Sequence, residues 1–359
     1  MADGRHRAIM VGTGGIARAW IGKFLPPFAD RLTVVAVVDV VPTARDAAGE
    51  RLGLPADARF AEMGEAFAAA GRLGADCCII TVPPAIHRAA ALGAMAAGLA
   101  ILSEKPLADT WEAAVDIYRA SMRTGAKMQI IQNYRYDANI LTVQSVLASG
   151  RLGRVRYAVG RYAQDYRRPL AWGAPFRHEM AHALLIEGAV HHFDQLRALT
   201  GADCASVSGV DWRPEGADSF GGECIGLYTL RMTNGTMAQY EGSLIAAGRQ
   251  QGWHEEAYRV ECEGGAVVTD GSTRVWIEEH TPETGTALTD IPLMEVRYPG
   301  HQAMISQFAD WLDGGPAPPT MIEDNLQTTA LLFAAIEAST ENRVVDVAAK
   351  VRAAKGEGS

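Results

Sequence analysis

The chain reads as an α/β protein in two parts: an N-terminal domain around a parallel sheet, and a C-terminal α+β domain around a large, mostly antiparallel sheet. Three observations predict this. Short apolar runs alternate with helical patterns over the first third of the chain. A glycine-rich turn separates the first run from the first helical stretch. Near residue 150 the pattern changes to consecutive strand-like runs joined by tight-turn dipeptides. Strand–helix alternation implies right-handed βαβ units, and runs of strands imply hairpins.

The elements follow in order. Arg7–Val11 predicts a strand, then the glycine turn, then an amphipathic stretch to about Leu25. Leu32–Asp39 is mostly β-branched, which suits a strand buried on both faces. Cys77–Val82 and Ala100–Ser103 repeat the theme, and Met128–Ile131 closes the sheet. Ala-rich helical patterns fill residues 43–52, 62–70, 85–97 and 109–124. Beyond them, Arg154–Tyr162, Ile225–Met232, Met237–Ser243, Tyr258–Glu263, Ala266–Thr269 and Arg274–Glu278 predict strands. Asn234-Gly235 and Gly264-Gly265 supply hairpin turns. Helical patterns return at 301–313 and 324–340, around a Gly/Pro-rich loop at 314–319. The expected domains are residues 1–130 and 131–359, with helices of 301–340 packing back on the first domain.

Composition excludes several function classes. The 359 residues, 48% apolar, suffice for two buried cores. A net charge of -9 without a basic block disfavours nucleic acid and anionic membranes as partners. The first residues hold no apolar run suited to a signal peptide, and Ala89–Leu102 is too short and glycine-broken to span a bilayer. Five cysteines without C-x-x-C spacing read as reduced and buried, in a cytoplasmic protein.

Gly12-Thr13-Gly14-Gly15-Ile16-Ala17 fits G-x-G-x-x-[GA] after a strand and at the start of a helix. Gly12 permits the tight turn, Gly14 lets the backbone approach a pyrophosphate, and Ala17 allows close helix–strand packing. The helix N-terminus offers N–H groups and a positive dipole end to phosphates. Asp39 ends the second strand and can accept both hydroxyls of an adenosine ribose. It would repel a 2′-phosphate, and Val40 and Val41 add no cation. Arg45 is expected to point away on its helix. The reading is a dinucleotide site that takes NAD in preference to NADP.

Two further stretches carry chemistry. Glu104-Lys105-Pro106 follows a strand, and ligands of open parallel sheets sit at strand carboxyl ends, so Lys105 is placed toward the nicotinamide end of the crevice. His178-Glu179-Met180-Ala181-His182 spells the zinc-protease pattern H-E-x-x-H. The extended form of that pattern needs Gly at 185 and His at 188, where this chain has Leu185 and Gly188. Zinc proteolysis is therefore set aside, and no metal is assigned. Downstream, a helix over 184–199 would bring Glu187, His191 and Asp194 within about 60° of one another.

In combination these residues resemble the glucose–fructose oxidoreductase / inositol dehydrogenase (Gfo/Idh/MocA) family. The resemblance rests on Gly12 to Ala17, Asp39, the run Thr81-Val82-Pro83-Pro84-Ala85-Ile86-His87, and Glu104-Lys105-Pro106. It continues through Asn133-Tyr134-Arg135-Tyr136, the run from Glu187 to Asp194, Pro319-Thr320 with Glu323-Asp324, and Arg343 to Asp346. It implies an N-terminal Rossmann domain and a C-terminal sheet whose open face makes oligomer contacts, giving a homodimer or homotetramer. It implies that Thr81, Pro83, Pro84, His87 and Glu104 neighbour the cofactor with Gly12, Thr13, Gly14, Gly15, Ile16, Ala17, Asp39 and Val40. His87 also reads as an ordinary helix-end histidine. The lysine of E-K-P is the family's usual catalytic residue, here Lys105, and His191 matches the histidine that stands beside it. Glu187 replaces the usual Asp of that motif and Ala189 the usual Gly.

The implied activity is hydride transfer between NAD and a carbon bearing a hydroxyl or carbonyl on a sugar, polyol or cyclitol. Lys105 and His191 share the reacting oxygen, with His191 as proton carrier and Glu187 or Asp194 orienting its imidazole. Tyr134, Arg135, Tyr166, Arg177, His178, His182 and Asp194 are the expected substrate contacts. Arg135 alternatively pins the two domains together. Tyr162, Tyr166 and Trp172 read either as sugar-stacking rings or as core. Two other readings stay open: non-redox lyase, dehydratase or epimerase-type chemistry with a recycled NAD, and a non-catalytic NAD-binding regulator.

Overall fold

β-branched and aliphatic runs such as Leu32-Thr33-Val34-Val35-Ala36-Val37-Val38 suit a strand with both faces covered, and the computed structural model places this run as an inner strand of a parallel sheet. It describes residues 4–168, 170–248, 250–271 and 273–357; Met1–Asp3, weighed above for a leader, lie outside the described residues. By internal contacts the chain divides into two units: residues 4–131 with 301–326, and 132–300 with 327–357.

The first unit holds six strands: β1 (His6–Val11), β2 (Leu32–Val38), β3 (Arg59–Phe60), β4 (Cys77–Ile80), β5 (Ala100–Ser103) and β6 (Met128–Ile130). Their order is β3-β2-β1-β4-β5-β6, all parallel. Helices Pro42–Arg51, Pro84–Ala96 and Trp111–Thr124 supply crossovers. Thr110 caps the last by accepting from Ala113 N at 3.2 Å, and Gly125 ends it in the left-handed region. The strand order reverses between β1 and β4. Ligands of doubly wound sheets bind at the strand carboxyl ends beside such a reversal. After the glycine turn only Ala17–Ala19 is α-helical, and Trp20–Phe24 continues with i→i+5 bonding, Leu25 N to Trp20 O at 2.9 Å. The segment His301–Leu326 adds to this unit through Ile130 N to Thr320 O (3.1 Å) and the His6 imidazole to Asp313 (3.0 Å).

The second unit carries nine strands: β7 (Val155–Ala163), β8 (Cys204–Trp212), β9 (Ile225–Met232), β10 (Met237–Ser243), β11 (Ala257–Cys262), β12 (Gly265–Thr269), β13 (Val275–Thr281), β14 (Gly285–Ile291) and β15 (Val345–Asp346). Their order is β14-β13-β12-β11-β7-β10-β9-β8-β15. Every pairing is antiparallel except β7 with β10. β8 and β14 were not expected from the sequence, whereas β15 lies in the Arg343–Asp346 run expected to close the chain. The helix Val190–Thr200 lies on one face, where Phe193 meets Tyr240 edge-on at 5.2 Å. Gly160 of β7 makes room for it: a Cβ there would stand 2.8 Å from the Tyr258 ring and 3.5 Å from Leu196. On the opposite face Tyr157, Val210, Trp212 and Leu227 remain exposed. All five cysteines are buried and unpaired, as expected. Among the described residues no helix is long and apolar enough to cross a membrane.

Candidate active site

In the first unit the glycine turn leaves β1 at Gly12, whose φ of +92° only glycine adopts without strain; a Cβ there would meet the Thr81 carbonyl oxygen at 2.8 Å. The Thr81 hydroxyl donates to the Gly12 carbonyl at 2.8 Å, joining the ends of β1 and β4 at the strand-order reversal. Beside this junction the turn opens: nothing stands within 4 Å of a Cβ built at Gly14 or Gly15. Gly15 and Ile16 face outward, while Ala17 is fully buried against the sheet.

Asp39, at the end of β2, faces this turn. Its Oδ2 accepts from Thr13 N (2.7 Å) and the Thr13 hydroxyl (2.8 Å), and its Oδ1 accepts from Val41 N (2.9 Å). The carboxylate is thus held by three donors, and Val40 is 76% exposed next to it. An open glycine cradle beside a fixed carboxylate fits the pyrophosphate and ribose of a dinucleotide. One expectation is corrected here. Arg45 does not point away; it turns back so that its guanidinium donates to the Asp39 carbonyl at 3.4 Å.

At the end of β5, Glu104 is 8% exposed. Its carboxylate accepts from the Trp20 indole N–H at 2.7 Å and pairs with His301 Nε2 at 3.2 Å. Burial alone would raise this carboxyl, but the His301 and Trp20 hydrogen bonds outweigh it and hold the group below its ordinary value. The His301 ring is itself stacked on Phe24 at 4.2 Å. Lys105 follows, half-buried, ahead of a cis peptide to Pro106. Pro83 precedes and Pro84 opens the helix that carries His87. His87 is 1% exposed, with its ring nitrogens 2.8 Å from the Pro106 carbonyl and 2.9 Å from the Val82 carbonyl. It clips the β4 turn to the E-K-P turn, which suits the helix-histidine reading.

In the second unit the stretch after His182 is helical but not uniformly α. Residues Leu184–Ala189 bond i→i+5, and Val190–Thr200 is α-helical. Glu187, His191 and Asp194 are all buried. The His191 ring lies flat on the Tyr134 ring, centroids 4.1 Å apart and planes within 2°. His191 Nδ1 lies 3.0 Å from Gln132 Oε1, so Nδ1–H donates and the ring lone pair is fixed at Nε2. The group orienting Nδ1 is therefore Gln132, not the carboxylates expected above. Gln132 escaped the sequence reading although it directly precedes Asn133-Tyr134-Arg135-Tyr136.

The carboxylates do other work. Asp194, 1% exposed, accepts from Arg135 through Nε and Nη2 (2.8 Å) and from the Thr328 hydroxyl (2.8 Å). That pair ties the Asn133–Tyr136 turn to the helix inside the second unit. Glu187 Oε2 accepts from Arg177 Nε at 2.9 Å, and Arg177 also lies over the Trp172 ring. Arg177 remains 33% exposed.

Three further expectations are corrected by burial. Tyr166 is 7% exposed in a core cluster with Tyr162 and Trp172, and its hydroxyl bonds that of Tyr162 at 3.0 Å. These rings form core, not a sugar platform. His178 is buried, its Nδ1 donating to the Ser219 carbonyl (3.0 Å) and its Nε2 accepting from Trp172 N (3.3 Å). It fastens its loop. His182 turns the other way, toward Asp211 (2.7 Å) and Glu223 (3.5 Å). The helix Phe176–Glu179 ends before it, so H-E-x-x-H does not present two histidines on one helical face. Burial works against a charged His182, but the Asp211 hydrogen bond and the two carboxylates outweigh it and raise its pKa.

Residues 6–132 match the oxidoreductase family described by an NAD-binding Rossmann fold, and residues 140–268 match the Gfo/Idh/MocA C-terminal domain. The chain belongs to the Gfo/Idh/MocA family. Within that family it is 36% identical to an uncharacterised protein, y4oX, of Sinorhizobium fredii, over 92% of this chain and 93% of that protein. An inositol 2-dehydrogenase of Pseudarthrobacter chlorophenolicus is 31% identical over 48% of each chain. Among solved folds, an oxidoreductase from Agrobacterium radiobacter in complex with NAD+, L-tartaric acid and magnesium superposes with a TM-score of 0.84. It is 21% identical and covers 96% of this chain and 99% of its own. The NAD-binding Rossmann half and the mixed nine-stranded sheet are thus those of a Gfo/Idh/MocA oxidoreductase.

Proposed function

We propose that this protein is an NAD-dependent dehydrogenase acting on a secondary CH–OH group of a neutral sugar, polyol or cyclitol. The observation that carries the reading is His191: an imidazole whose tautomer is fixed by Gln132 and whose plane is fixed by Tyr134. A ring so held is a general base, since an imidazole changes charge near neutral pH and its lone pair has a set direction. When bound, NAD+ supplies the hydride acceptor. The chain's own residues do the rest. The Gly12–Ala17 turn seats the pyrophosphate and Asp39 accepts the ribose hydroxyls. The Asp39 charge opposes a 2′-phosphate, so NAD is preferred to NADP. The Lys105 ammonium stabilises negative charge on the reacting oxygen, and His191 Nε2 takes the hydroxyl proton. Tyr134 and Arg177 contact the substrate. The first unit serves as the cofactor domain and the second as the substrate domain.

The substrate class rests on a sequence without a Lys/Arg cluster of the kind that would mark a phosphosugar, and on the inositol 2-dehydrogenase relative. We assign the sheet face that exposes Tyr157, Val210, Trp212 and Leu227 to self-association, since large apolar side chains left exposed on one sheet face mark interaction surfaces.

The test is a panel of aldoses, polyols and cyclitols with NAD+ and NADP+, read at 340 nm. One neutral polyhydroxy substrate should be turned over continuously with NAD+ preferred. A burst limited to bound cofactor would instead support recycled-NAD chemistry. With that substrate, Lys105→Met and His191→Asn should each slow single-turnover hydride transfer by ~10²–10⁴-fold. Near-normal rates in both would refute the assignment.

A further inference from the structure

The second histidine of His178-Glu179-Met180-Ala181-His182 takes part in a cluster that the dehydrogenase reading does not use. We propose that His182, Asp211 and Glu223 form a binding site for one divalent transition cation of the zinc or manganese type. The proposal is independent of the function proposed above.

The three residues come from separate segments: the turn before the helical stretch Leu184–Ala189, strand β8, and the residue two before β9. His182 Nδ1 lies 2.7 Å from Asp211 Oδ2 and 3.5 Å from Glu223 Oε2, and the three ligand atoms all fall within 4.8 Å of one another. Ligand atoms about 2.0–2.2 Å from a tetrahedral zinc stand roughly 3.3–3.6 Å apart, so modest side-chain adjustment encloses a cation. One imidazole nitrogen and two carboxylates, of which Asp211 can bind through both oxygens, supply the protein ligands, and water completes the shell. The nitrogen favours a transition cation over magnesium or calcium, which take oxygen ligands.

A second observation points to the same place. The Asp211 side chain is fully buried, and its other oxygen, Oδ1, accepts no hydrogen bond among the described residues. The buried Tyr228 hydroxyl beside it likewise makes none of ordinary geometry. A buried carboxylate oxygen whose neighbouring donor, the Tyr228 hydroxyl, is poorly aligned is costly. A cation that spans both Asp211 oxygens removes that cost. Access exists, because the His182 and Glu223 side chains are 20% and 32% exposed. The cation takes the place of the Nδ1 proton, and it ties the segment leading to Glu187 and His191 onto β8.

The full-length protein, stripped with chelator and dialysed, is titrated with ZnCl2 and MnCl2 by calorimetry and with CoCl2 by visible absorption. The expected result is one site per chain with Kd below about 10 μM, and a Tm that rises with metal. His182→Asn, Asp211→Asn and Glu223→Gln should each weaken binding by at least about tenfold, since even outer partners of metal ligands are worth that much. Wild-type protein that binds no metal in this range overturns the proposal, as does binding left unchanged in the variants. Glu223 is half-exposed, so Glu223→Gln decides the matter if Asp211→Asn does not fold.

Discussion

Replacing Asp194 by Asn separates an anchoring carboxylate from a substrate ligand. The carboxylate is 1% exposed and takes both the Arg135 guanidinium and the Thr328 hydroxyl, with Arg197 Nη1 a further 3.6 Å away. The substitution keeps one carbonyl acceptor but removes the charge that faces Arg135, whose side chain is only 12% exposed. Removing one partner of a buried pair costs about 3–5 kcal/mol. The residual exposure of Arg135 places this case near the lower end, about 3 kcal/mol. For a unit of this size that corresponds to a Tm lower by about 6–12 °C. The assay is thermal and urea unfolding by circular dichroism and tryptophan fluorescence, with the two units fitted as separate transitions. Replacing both partners with apolar residues, Asp194→Leu with Arg135→Met, should recover part of the loss, because no unpaired charge remains. A loss below about 1 kcal/mol refutes the anchor. A raised KM at unchanged Tm would return Asp194 to the substrate.

Three further outcomes are expected. Gln132→Leu leaves the His191 Nδ1–H without its acceptor, worth about 1–3 kcal/mol, so single-turnover hydride transfer should fall roughly 5–150-fold at similar KM; a rate within about twofold would show that Gln132 does not hold the tautomer. Gly12→Ala places a Cβ 2.8 Å from the Thr81 carbonyl oxygen at a φ of +92°, and should abolish NAD binding and cost about 1–3 kcal/mol, whereas wild-type cofactor affinity by fluorescence titration would contradict it. Glu104 is held below its ordinary value near 4.5, against burial, most strongly by His301. Its contribution to stability is therefore present above that value and is lost as pH falls through the lower folded value. His301→Gln should move the acid midpoint of the first unit's unfolding to higher pH, and an unchanged midpoint would sink this linkage.

The first unit was legible because its signals are backbone constraints. Gly12 must be glycine, Ala17 must be small, and Asp39 must end a strand, so residue identity and place are one statement. In the second unit the parallel pairing of β7 with β10 was not legible, since alternation along a strand says which face is buried and not which neighbour it takes. β14 escaped because almost all its residues are exposed and it carries no alternating pattern. In the site, the face shared by Glu187, His191 and Asp194 could be computed from spacing, but its partners could not. Arg135 and Gln132 reach those side chains from 59 residues away, and Arg177 reaches Glu187 from a turn ten residues before it. Tyr166 and His178 were misread for a related reason: a polar tip in a sequence does not reveal whether the backbone or another side chain has already satisfied it.

The middle position of β7 has a consequence for how the chain is made. It is the earliest strand of its sheet in the sequence, yet both its neighbours, β10 and β11, lie far downstream and end at Ser243 and Cys262. At about 5–20 residues per second, translation leaves β7 without a partner for roughly 4–16 s. Closing loops of this length precedes any gain from pairing, so the sheet assembles late and as a unit. During that interval the Val155–Ala163 segment is the part of a nascent chain with most reason to engage a chaperone.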